Sequence, residues 1–98
     1  MLFRSLTRYH GLGPMGGTDL DSVLRSLGVT TVVGVGVSVN VGMTNFAFDA
    51  VNLGYQFVMP RDAVAGIPAE YASAVLENTL SLVATLTTTA EVAAAWRA

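Results

Sequence analysis

The amino-acid sequence predicts an α/β fold: part of a doubly wound parallel sheet, with about three strands and four helices in three α/β/α layers. Three observations predict it. Apolar residues recur at helical spacing in segments that alternate with short β-branched runs. The run 29–37 is apolar almost throughout, without in-and-out alternation, and glycine follows each of the first two helical segments.

Residues 1–17 hold Gly11, Gly13, Pro14, Gly16 and Gly17 without sustained periodicity, and are expected to be irregular. Thr18 is a hydroxyl helix cap, and Asp21 three positions on makes the pair a variant of the capping box. Leu20, Val23, Leu24 and Leu27 then form one apolar stripe, and Gly28 suits the left-handed position that ends a helix. Residues 29–37 predict a parallel strand enclosed by helices on both faces. A second helix is expected over 42–53, with Met43, Phe46, Ala47, Ala50 and Val51 on one face and Gly54 as its stop. Residues 55–59 predict a second strand, closed by Pro60, which cannot donate to a ladder. Pro68 opens the longest helix, 69–84. A third short strand is expected over 85–88, and Thr89 caps a last helix that ends near Trp96. The order α-β-α-β-α-β-α implies parallel strands joined by right-handed crossovers, a Rossmann-like arrangement.

A chain of 98 residues is the size of one small domain, so residues 1–98 are expected to form a single unit. Its residues are 52% hydrophobic and its mean hydropathy is +0.55. That exceeds what a domain able to bury only roughly 60–70% of its unfolded surface readily hides. A membrane is not the expected destination. The richest stretch, 29–41, is interrupted by Thr30, Thr31, Ser38 and Asn40 and falls well short of the roughly 20 apolar residues that cross a bilayer. The first ten residues lack the apolar core of a secretory signal, and a cytoplasmic location is expected. The surplus apolar surface therefore points to another chain, either a second copy in a homo-oligomer or the N-terminal half of a larger domain.

Arg4, Arg8, Arg25, Arg61 and Arg97 are scattered and the net charge is −2, so no concentrated basic face for nucleic acid is expected. The chain has no cysteine, which removes thiol nucleophiles and thiolate metal sites, and no lysine, which removes Schiff-base chemistry. No metal and no cofactor is expected. His10 stands alone in a glycine-rich segment without partners at ligand spacing and reads as a loop histidine. Gly34 to Val39 spell G-V-G-V-S-V, but the third glycine of a dinucleotide fingerprint is missing and the glycines fall inside the strand. The G-V-S-V-N at Gly36 to Asn40 is one glycine short of a serine-hydrolase elbow, and no histidine lies downstream. Asp49 and Asp62 fall where open sheets place ligands, near the C-terminal ends of strands, though such residues more often cap helices or pair with a neighbour such as Arg61.

Three strings in order carry a resemblance. They are G-T-D-L-D-S-V-L-R-S-L-G-V-T-T-V-V-G-V-G-V, then S-V-N-V-G-M-T-N-F-A-F-D-A-V-N-L-G-Y, then R-D-A-V-A-G. With them the chain resembles the C-terminal half of the isochorismatase-like cysteine hydrolases. The resemblance implies the hydrolysis of C–N or vinyl-ether bonds in small metabolites by a Cys, Lys and Asp triad. It places the cysteine at Gly42, where there is no nucleophile, and the lysine at about Arg8 or Tyr9; the strand that carries the aspartate has no counterpart here. It also implies a cis peptide between Val37 and Ser38, and an oxyanion hole made of the Ser38 and Gly42 amides. Asn40, Met43 and Asp62 are the candidate pocket residues beside that turn.

The expected function is accordingly that of a hydrolase-like protein without the family's covalent chemistry, or one truncated. The alternative is a non-enzymatic module that binds a small ligand or a partner chain on the same fold. The strand 31–37, lacking a neighbour on one side and free of lysine, proline or inward charge, is expected to pair with another chain.

Overall fold

The computed structural model describes residues 5–97. Residues 1–4, Arg4 among them, and Ala98 lie outside the described residues, and residues 5–17 contain neither helix nor strand. The described elements are α1 (Leu20–Ser26), β1 (Thr31–Val33), β2 (Gly36–Val37), α2 (Thr44–Asn52), β3 (Gln56–Pro60), β4 (Val64–Ala65), α3 (Ala69–Asn78), β5 (Thr85–Thr87) and α4 (Thr89–Arg97). The fold is α/β. β1, β3 and β5 form a parallel sheet in that order, and β2 and β4 form a small parallel pair.

Helix ends follow the local chemistry of the sequence. The cap position of α1 is Asp19 rather than the expected Thr18, and Asp21 bonds Tyr55 and Arg25 instead of closing a capping box; Thr18 Oγ1 accepts from the Leu20 amide at 3.2 Å and donates to the Pro14 carbonyl, which ties the first turn to the segment before it. Gly28 has φ +73°, its amide donates to Arg25 O at 3.1 Å and the Val29 amide donates to Leu24 O at 3.0 Å, the paired bonds of a Schellman stop. Gly54 repeats the motif after α2, with φ +97° and bonds from Gly54 and Tyr55 to Val51 and Ala50.

Two expected helices differ in extent. The helix expected over 42–53 starts within a π-helical turn, Val39–Met43, and is α-helical only from Thr44 to Asn52. The long helix expected over 69–84 stops at Asn78 and tightens into a 3₁₀ turn at Leu80–Leu82. Asn78, Thr79 and Ser81 are weak helix formers, and Ser81 Oγ donates to Glu77 O at 2.6 Å. The last helix is capped by Thr88 rather than by Thr89: the Glu91 amide donates to Thr88 Oγ1 at 3.2 Å, and that hydroxyl donates to Glu91 Oε1 at 3.3 Å.

Register places Val32 beside Phe57 and Met59 beside Leu86 on one face of the sheet. Phe57 and Met59 are buried there with Ala47 and Ala50 of α2 and Val75 and Leu76 of α3, and Phe46 meets Phe57 edge-on at 4.8 Å between ring centroids. A Cβ on Gly34 would overlap Phe57 Cζ, so this glycine is what lets the tip of the ring reach β1. The expected enclosure of the first strand on both faces is not complete. β1 is an edge strand, and Thr31 is exposed, Val33 half-buried and Val35 56% exposed.

α1 is held to the sheet by a mixed contact. Tyr55, 4% exposed, donates its hydroxyl to Asp21 Oδ1 at 2.6 Å, while the Arg25 guanidinium lies 4.5 Å from the Tyr55 ring centroid and 3.2 Å from the same carboxylate oxygen.

Candidate functional site

The strand-to-helix turn after β2 carries most of the candidate residues. The Val37–Ser38 peptide is cis. From there the π-helical turn winds so that the Met43 amide reaches Ser38 O at 2.8 Å, and Thr44 Oγ1 donates to Val39 O at 2.6 Å. Val39 and Met43 point into the core, at 0% and 4% exposure, so Met43 anchors the turn from below.

Ser38 and Asn40 face the loop between β4 and α3. Ser38 Oγ donates to Asn40 Oδ1 at 2.9 Å, and Asn40 Nδ2 donates to Ile67 O at 3.3 Å. A Cβ on Gly66 would stand 2.6 Å from Asn40 Oδ1 and 2.9 Å from the Ala72 methyl, so only glycine lets the loop close on the carboxamide. The β2–β4 pairing, Gly36 with Val64 and Val37 with Ala65, holds the same two segments together. Both hydrogen-bonding groups of the Asn40 side chain are thereby engaged within the protein.

Gly42 lies on the other side of the turn, against the segment that precedes α1. A Cβ there would sit 3.2 Å from Leu12 O and 3.9 Å from Val37 O, and Gly42 is not among the glycines with positive φ. The backbone thus admits a side chain, and among the described residues its tight neighbour is a carbonyl of the irregular segment. A cleft of about 190 Å³ opens here between Arg8, Leu12 and Pro14 on one wall and Val35, Val37, Gly42, Met43 and Phe46 on the other. It is apolar apart from Arg8 and the backbone.

The structure brings Val37, Ser38, Asn40, Gly42 and Met43 together on one turn. Asp62 is elsewhere. Its carboxylate accepts from the Thr89 amide at 2.9 Å and the Thr89 hydroxyl at 2.7 Å, so it caps α4, and these bonds hold its pKa below the usual carboxylate range. Arg61 pairs with Glu77 of α3 rather than with Asp62. Asp49 lines a separate cleft between α1 and α2 with Thr18, Asp21 and Asn52. The His10 ring lies against Gly17, and among the described residues no three His, Cys, Asp or Glu side chains converge as a metal site would need.

Leu12, Pro14 and Val35 line the cleft, and sequence reasoning did not single them out. Leu12 contributes a carbonyl, which no residue pattern reveals, and Pro14 sits in a stretch whose lack of periodicity hides its packing.

The turn, the sheet order and the cleft can be set beside known proteins. The family model for the isochorismatase domain matches residues 6–91. The chain belongs to the isochorismatase family. It is similar to YwoC of Bacillus subtilis, described as an uncharacterized isochorismatase family protein, at 39% identity over 64 residues, 65% of this chain and 34% of that protein. Among solved structures it is similar to an isochorismatase family protein of Burkholderia thailandensis, with TM-score 0.89 and 31% identity over 95% of this chain and 48% of that one. A pyrazinamidase/nicotinamidase of Streptococcus mutans is similar with TM-score 0.74 and 35% identity, over 80% of this chain and 44% of that one. The chain therefore spans about a third of the curated relative and about half of these solved isochorismatase-fold chains. No helix among the described residues is long and apolar enough to cross a membrane.

Proposed function

We propose that this isochorismatase-family chain does not carry out cysteine-dependent hydrolysis. The observation that carries the reading is the bare Gly42. The position that the family resemblance gives to the nucleophile has no side chain, and Leu12 O stands 3.2 Å from where its Cβ would be. With neither cysteine nor lysine in the sequence, nothing beside the turn can form a thioester or shuttle a proton to one. Ser38 does not replace the thiol, because its hydroxyl is spent on Asn40 and no base lies next to it.

Nicotinamide and pyrazinamide are the first substrates to test, since a nicotinamidase is among the structural relatives. Turnover should be more than about 100-fold below that of an active relative, a barrier difference above roughly 2.7 kcal/mol. Turnover inside that margin refutes the reading.

The second reading is a small-ligand module, favoured by the cleft of about 190 Å³ beside Gly42 with Arg8 on its wall. Titrating small aromatic amides and carboxylates while following the Gly42 amide resonance tests it. Saturable shifts that Arg8→Ala abolishes support a site; none at millimolar ligand rules it out.

A further inference from the structure

We draw no further inference here: the strongest candidate, the cleft of about 480 Å³ between α1 and α2 lined by Thr18, Asp21, Ser22, Asp49 and Asn52, rests on two carboxylates, of which that of Asp21 already accepts from Tyr55 and Arg25, and nothing else among the described residues points to a ligand there.

Discussion

The carbonyl oxygen of Leu12 lies 3.2 Å from the point that a Cβ on Gly42 would occupy, so the missing side chain and the path of the preceding segment are one feature. Leu12 itself is 66% exposed and belongs to a segment with no ladder bonds, so the segment can yield a few tenths of an ångström. Gly42→Ala should then stabilise the fold by about 0.5 kcal/mol, by removing glycine's backbone entropy from a helical turn. A rise in Tm of roughly 2–4 °C is expected by calorimetry. A fall would mean that Leu12 is fixed.

Gly34→Ala should act in the opposite direction. The added methyl meets the Phe57 ring, which at 2% exposure has nowhere to move. A loss of about 3 kcal/mol is expected in urea titration. Gly28→Ala, which meets nothing within 4 Å but must hold φ +73°, should cost only about 1 kcal/mol. Equal losses at the two sites would contradict the packing described for Phe57.

At alkaline pH the contact between Tyr55 and Asp21 sets the limit. Burial, and then the hydrogen bond to Asp21, raise the Tyr55 hydroxyl above its ordinary value, with Arg25 opposing. The folded chain thus holds this proton more tightly than the unfolded one. Its contribution is complete below about pH 10 and is lost as pH rises through the folded-state value. Tyr55→Phe should flatten the alkaline limb of the stability profile while leaving the acid limb alone.

On the acid side the relevant group is Asp62. Its carboxylate is lowered by Thr89, so its stabilising effect is present above the ordinary carboxylate range and disappears as pH falls through the folded-state value. Asp62→Asn should remove that acid dependence, and hydrogen exchange should show α4 fraying first. An unchanged acid limb would show that the cap does not couple to folding.

Much of this fold could be read from particular residues. Leu20, Val23, Leu24 and Leu27 with Gly28 marked α1, and Pro60 marked the end of β3, because spacing and backbone restriction act within a few residues. The β2–β4 pair could not be read, since two residues in each strand leave no period to detect. The end of α3 at Asn78 was missed because its apolar stripe continues through Leu80 while the backbone leaves the helix under weak helix formers. The turn from Val37 to Met43 was legible through family resemblance alone. Asp62 lies just past the end of β3, but its partner Thr89 is 27 residues away and no local pattern links them.

The order β1-β3-β5 follows the order of synthesis, so each strand pairs with one that has already left the ribosome. Thr31 and Gln56, neighbours across the first ladder, are 25 residues apart, the span of a single crossover. Pairings this local keep the loop-closure entropy of each step small, where parallel sheets with interleaved strand order must wait for distant segments. The three strands can therefore assemble during translation as a growing edge, β5 joining last.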